Sequence, residues 1–404
     1  VKIITAEWLF DGEKFLKNKA VLFEEKILAV DTPDTLKKRY SNAEFIDMGQ
    51  NSTIMPGFIN PHVHLEFGAN KTHLSYGNFM TWLNSVIQKR DELIESCKAG
   101  CYKREIDEML ASGITTFGAV SSYGKELRAC LAAPQRVIFF NEAIGSQPAA
   151  VDALYADFLQ RLNQSREAAN DKFIPAIAIH SPYSVHPILI KKILQNIENE
   201  PLSAHFMESP VEKEWLEKAD GPFKEFFENF LNQTKPLTTA KEFLKHLDGY
   251  KALLTHAVWA DKDELNLIAD AGHTIIHCPR SNRLLGCGRL RLEKLNSTKI
   301  SWLLGTDGLS SNTSLNLWDE MRSALMMHYE MDLESLALDL LKVVTSKAAN
   351  ALNLPIGEIK EGNWADIIIV TLPDIPESSE QLPLQLILHT TNVKQLYISG
   401  EKYA

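Results

Sequence analysis

The chain has 404 residues, 45% of them hydrophobic, and a formal net charge of −10. That is enough apolar material for one large domain and a smaller one, whereas an acidic balance with no lysine or arginine run argues against nucleic acid or an anionic membrane as a general partner. No apolar run reaches the roughly 18 residues of a membrane span, and the opening VKIITAEWLF has no basic leader before an apolar segment, so the expected location is the cytoplasm.

Residues 1–53 offer short strands, KIITAEWLF, KAVLFEEKILAV and EFIDMG, with turn signals at DGE and DTPD. From residue 54 the style changes. Eight strand candidates follow: IMPGFINPHVHLEF, ITTFGAV, RVIFFNEAIG, FIPAIAIH, LSAHFMES, KALLTHAVWA, HTIIHCP and KISWLLGTDG. Between them lie amphipathic stretches such as 151–164, 187–200 and 261–272, the βαβ rhythm of a parallel sheet. The expected fold class is α/β, with a (β/α)8 TIM-like barrel over residues 54–354. A doubly wound open sheet is the runner-up, but no glycine-rich phosphate loop follows any strand. Residues 355–404 return to short strands in GEIKEGNWADIIIV and NVKQLYISGEKY. Both ends are therefore expected to form one small β-sandwich domain, 1–53 with 355–404, into which the barrel is inserted.

The five cysteines are odd in number and contain no CxxC pair, so neither a disulfide framework nor a thiolate metal site is expected. CKAGC at 97–101 reads as a helix turn. The insertion after the first barrel strand, YGNFMTWLNSVIQKRDEL, places Phe79, Trp82, Leu83, Val86 and Ile87 at helical spacing, mostly for core packing.

Chemistry is expected where barrel strands end, on their C-terminal face. Alternate residues of a strand share a face, so His62 and His64 of PHVH can aim two imidazoles at one point. Other polar residues end other strands: His180, His205 with Glu208, His256 and Asp307. A lone histidine at a strand end is usually just hydrogen-bonded in place. Seven such residues at the ends of five strands, all at one topological position, are harder to assign to structure alone. Three neutral imidazoles and a carboxylate suit one divalent ion, zinc first and iron or manganese next, with a position left for water. A neighbouring carboxylate that is not a ligand can carry protons. HLE at 64–66 matches the HxE of small cytidine-type deaminases, but their PCxxC partner is missing.

Taken together, PGFINPHVH, HSPY, HFME, THAVW, HCPRSN and LGTDGLSSN resemble the successive motifs of the amidohydrolase superfamily. Their form is that of its aminohydrolase branch, which holds adenosine-type, guanine and S-adenosylhomocysteine deaminases and triazine hydrolases. The resemblance implies that His62, His64, His205 and Asp307 bind one metal and that His256 hydrogen-bonds to the attacking water. It implies that Glu208 passes a proton to a ring nitrogen, that Asp307 helps deprotonate the water, and that His180 contacts the substrate ring. Trp82 would line the pocket and Asp91 would grip ribose hydroxyls.

Two departures bear on the substrate. Asn141 stands where related adenosine-type deaminases often place arginine, and RSNRLLGCGRLRLEK supplies Arg280, Arg283, Arg289 and Arg291. A carboxylate-bearing substrate would account for that cluster, with Arg280 and Arg283 as the first candidates; for any single arginine, pairing on a solvated face is the simpler account. Within the branch the chain most resembles the aminofutalosine deaminases of menaquinone synthesis, which act on an adenine nucleoside carrying a benzoate group. The expected activity is thus hydrolytic deamination of aminofutalosine. The alternatives are an S-adenosylhomocysteine, methylthioadenosine or guanine deaminase, a triazine chlorohydrolase, or a non-catalytic barrel subunit. The expected partner is a small nucleoside, with a homodimer as the default assembly.

Overall fold

The computed structural model describes residues 1–70, 72–97, 99–374, 376 and 378–403. An eight-stranded sheet runs in chain order through β1 (Phe58–Val63), β2 (Ile114–Ser121), β3 (Arg136–Ala143), β4 (Phe173–Ile179), β5 (Leu202–Phe206), β6 (Ala252–His256), β7 (Thr274–His277) and β8 (Trp302–Leu304). The registers from β3 to β8 are parallel throughout. Every residue of β1, β2 and β3 is buried, as in a parallel sheet covered on both faces. Beyond β8 the chain returns to β1: the Asp307 amide donates to the His62 carbonyl at 3.2 Å. Glycine permits that approach, because a Cβ at Gly308 would lie 2.8 Å from the His64 carbonyl oxygen. The arrangement is the expected barrel, nearly closed.

The run expected as one first strand is two. Ser52–Pro56 pairs antiparallel with Ile367–Thr371 and parallel with Trp8–Phe10, and the barrel strand starts only at Phe58. Gly57 separates them; a Cβ there would meet the Thr115 side chain at 2.2 Å.

The termini build two further sheets. One is four-stranded, ordered Ile27–Asp31, Ala20–Phe23, Lys2–Thr5 and Glu44–Asp47. The other joins both ends of the chain in six strands, from Glu401–Lys402 through Gln395–Ile398, Ile367–Thr371, Ser52–Pro56 and Trp8–Phe10 to Phe15–Lys17. Ile4, Val21 and Phe23 of the first sheet pack with Leu9, Ile54, Ile367, Ile369 and Tyr397 of the second in one apolar core. This is the small sandwich expected of the two ends. By contacts the chain divides into two compact units, Val1–Asn60 with Ile106–Phe117 and Asn316–Ala404, and Pro61–Glu105 with Gly118–Leu315. All the strand-end candidates belong to the second. Among the described residues no helix is long and apolar enough to cross a membrane.

CKAGC is not a continuous helical turn. The helix Phe79–Ser96 ends at Cys97, whose ψ of 70° leaves the helical range, and a new helix runs Ala99–Ala111. The break brings Cys97 and Cys101 to a Cα separation of 5.2 Å, where they form a disulfide. Cys130, Cys278 and Cys287 are buried.

Candidate active site

Strand alternation in β1 turns His62 and His64 toward the barrel mouth, and β5 contributes His205. His64 Nε2 lies 3.2 Å from His205 Nε2, while His62 Nε2 and His64 Nε2 lie 3.7 and 3.8 Å from Asp307 Oδ1. His62 Nε2 is buried with no hydrogen-bond partner among the described residues. Donor atoms of His62, His64 and Asp307 fall within 4.8 Å of one another, as do those of His62, His205 and His256. Buried nitrogens and a carboxylate oxygen that converge in this way have the spacing and chemistry of a metal-binding set.

Electrostatics keep the set ready for a cation. Burial lowers His64 to about 4, with His62 adding to the effect, and lowers His205 well below the ordinary imidazole value. Burial thus disfavours the protonated form of both rings, and the neutral imidazole is the form that ligates. Burial works against ionisation of Asp307, yet the adjacent His62 ring, with His64 and His256, holds its carboxyl well below the usual range. Its other oxygen, Oδ2, accepts from Ser281 Oγ at 2.7 Å and Ser311 Oγ at 2.8 Å, while Oδ1 accepts from the Gly308 amide at 2.8 Å. Asp307 is thereby fixed in direction.

Glu208 and His256 form the second half of the site, with Glu208 Oε1 3.5 Å from His256 Nε2. Burial raises Glu208 well above the usual carboxylate range, and the nearby charges of Asp307 and Glu212 add to it. His256, lowered to about 4 chiefly by burial, places Nδ1 2.9 Å from Asn282 Oδ1. Backbone strain marks these strand ends: Met207, His256, Ala257 and Asp307 all have positive φ, between 47° and 77°. Glu212 supports the first of these turns, since its carboxylate accepts from the Met207 and Glu208 amides at 3.0 and 2.8 Å.

His180 follows β4 and packs near His205, their ring centroids 5.0 Å apart; its Nδ1 contacts Ser184 Oγ at 2.6 Å. Trp82 donates from Nε1 to the Ser310 carbonyl at 2.8 Å, which ties the helix Phe79–Ser96 to the loop bearing Asp307. These two candidates stand with the cluster. The other substrate candidates do not. Asn141 faces the helix Val151–Glu167, accepting from Ser165 Oγ at 3.1 Å and donating to the Ala176 carbonyl at 3.2 Å. One residue later the strand points inward. Glu142 receives the Ser122 hydroxyl at 2.7 Å on Oε2, and its Oε1 is 3.8 Å from His205 Nδ1. Asp91 is exposed and paired with Arg90 at 3.1 Å, because its turn of the helix points to solvent. Arg280 directs its guanidinium to the Ser314 and Thr313 hydroxyls, and Arg283 is exposed.

Sequence reasoning missed Glu142, Ser281, Asn282, Ser311 and Glu212 as supports of the site. Only Glu212 had a local signal, the S-x-x-E pattern of Ser209 and Glu212 at the start of the helix Pro210–Lys218.

The chain is 44% identical over 405 residues to the aminodeoxyfutalosine deaminase of a Nitratiruptor species, covering all of this chain and 99% of that one. It is 33% identical to an adenosine deaminase of Helicobacter pylori, over 96% of this chain and 95% of that one. The crystal structure of Helicobacter pylori aminofutalosine deaminase with methylthio-coformycin superposes with a TM-score of 0.94 at 31% identity, covering both chains fully. The amidohydrolase family profile matches residues 53–402, a span that contains every residue of the cluster described above, and the chain therefore belongs to the amidohydrolase family.

Proposed function

We propose that the protein is a metal-dependent hydrolytic deaminase that converts aminofutalosine and water into futalosine and ammonia. The observation that carries the reading is Glu208: a buried carboxyl 3.5 Å from His256 Nε2, with burial pushing its pKa up, beside the convergent His62, His64, His205 and Asp307, in a chain 44% identical along its length to an aminodeoxyfutalosine deaminase. The relatives at 44% and 33% identity carry deaminase names, which favours deamination over triazine dechlorination.

His62, His64, His205 and Asp307 would hold the ion, zinc by preference for nitrogen-rich sites, and when bound it lowers the pKa of a water to about 7. The chain's own groups then divide the proton work. Asp307 Oδ1 accepts a proton from the water, while Oδ2 stays engaged with Ser281 and Ser311. His256, with Nδ1–H donated to Asn282, offers Nε2 as an acceptor that orients the water. Glu208 gives its proton to the ring nitrogen beside the amino-bearing carbon, which lets that carbon accept the oxygen. The proton taken by Asp307 passes to the amino nitrogen, ammonia leaves, and the remaining hydroxyl proton returns to Glu208, which restores both carboxyl groups. His180 contacts the nucleoside, and Trp82 covers it from the helix tied to Ser310.

The test is ammonia release by metal-loaded protein from aminofutalosine, adenosine, methylthioadenosine, S-adenosylhomocysteine, guanine and melamine. Preference for aminofutalosine is expected. Preference for adenosine would favour the second reading, motivated by the 33% identical adenosine deaminase, and silence across the panel with metal bound would overturn deamination.

A further inference from the structure

A cavity of about 400 Å³ opens between the loop after β6 and the segment before the helix Leu292–Thr298. Ala257, Val258, Leu265, Leu290 and Leu295 give it an apolar floor, Trp259 an aromatic wall, and Arg289, Arg291 and Lys294 a cationic rim. None of the lining residues is acidic, in a protein whose net charge is −10. Arg289 pairs with Glu293 at 2.8 Å. Arg291 and Lys294 are exposed and hold like charges on one rim.

This cavity is separate from the catalytic cluster, for none of the four metal-set residues, Glu208 or His256 lines it. Cys287 stands between the two: its carbonyl accepts from Trp259 Nε1 at the cavity wall, and its buried Sγ lies 4.0 Å from Glu208 Oε1. That hydrogen bond satisfies the indole N–H and fixes the ring, 39% of whose residue surface is exposed, as a rigid wall.

We propose that this cavity binds a small amphipathic carboxylate, with its apolar or aromatic body on Trp259 and the leucine floor and its anionic head between Arg291 and Lys294. Three observations converge. The volume is in the range of small-molecule sites, which are mostly apolar with a few placed polar groups. Two exposed cations on one rim favour an anionic ligand, and guanidinium matches a carboxylate in two-point geometry. A flat aromatic wall beside a positive rim selects a ligand with both an apolar face and a charge, which a bare inorganic anion lacks. The assignment does not depend on which nucleoside the catalytic site takes.

The experiment is calorimetric titration of the metal-loaded full chain at low salt with 2-naphthoate, its neutral amide 2-naphthamide, and inorganic phosphate. Saturable binding of naphthoate is expected, at least tenfold tighter than naphthamide or phosphate and weakened by added salt. The double variant Arg291→Gln/Lys294→Gln should lose at least tenfold in naphthoate affinity while its thermal unfolding midpoint and metal content match the parent, which shows that it is folded. Trp259→Leu should weaken naphthoate more than phosphate. The proposal is overturned if naphthoate fails to bind, if naphthamide or phosphate binds as tightly, or if the double variant binds naphthoate like the parent, the result expected of binding in the catalytic cluster instead.

Discussion

His256 Nδ1 lies 2.9 Å from Asn282 Oδ1, and this contact decides which nitrogen of the ring carries the proton. The amide oxygen can only accept, so Nδ1 donates and Nε2, 3.5 Å from Glu208 Oε1, is left as the acceptor facing the site. Asn282→Ala should release the tautomer and lower kcat by about 10–100-fold, as losses of such supporting partners do. Asn282→Asp keeps an acceptor and should recover part of that loss; equal damage in both variants would count against the tautomer argument. Metal content, measured in parallel, should stay unchanged in both.

Glu208→Gln tests the proton donor. The amide keeps the size of the side chain but cannot give up a proton at neutral pH, so kcat should fall by about 10²–10⁴-fold. Metal content should match the parent, because Glu208 is outside the convergent donor set. Near-parental turnover in this variant would refute the assignment.

Asp307 depends on two hydroxyls. Ser281→Ala combined with Ser311→Ala removes both partners of Oδ2, at 2.7 and 2.8 Å, while Gly308 N–H still holds Oδ1. The expected result is metal affinity lowered by about 10–100-fold in a chelator competition. Asp307→Asn should weaken both metal retention and turnover, a pattern that separates the ligand from its supports.

Glu126 gives a pH prediction apart from the metal set. It is fully buried, and burial pushes its carboxyl from the ordinary value near 4.5 up to about 7, with Glu142 adding to the effect. The folded state thus binds this proton more tightly than the unfolded chain. The contribution to stability is present in full below about pH 4.5 and is lost as pH rises through about 7. Glu126→Gln mimics the protonated form and removes that dependence. Relative to the variant, the parent should lose up to about 3 kcal/mol between pH 4.5 and 7 in denaturant titrations. A stability difference independent of pH would overturn the assignment.

The sequence by itself determined the barrel and the strand ends at which the candidate site residues lie. Alternation of apolar strands with amphipathic helices has few packing solutions. Strand ends then place His62, His64, His180, His205, Glu208, His256 and Asp307 on one rim, so the topology alone brings their positions together. The short strands at both ends likewise predicted a small shared β domain.

Only the tertiary structure decided the finer matters, each for a physical reason. Strand β3 is buried on both faces, so RVIFFNEA carries no alternation to set its phase, and a shift of one residue exchanges inside for outside. That is why Asn141 turned out to face a helix while Glu142 faces His205. Ser281, Ser311 and Asn282 belong to residue types that occur on every loop, and their roles come from backbones that bring them onto Asp307 and His256. The Cys97–Cys101 disulfide required a helix break that spacing did not reveal. Arginines illustrate the same limit: among those close in sequence, Arg280 binds two hydroxyls, Arg289 pairs with Glu293, and Arg291 joins Lys294 on a cavity rim. Charge in a sequence gives the sign of a field, and only the fold decides where that field is focused.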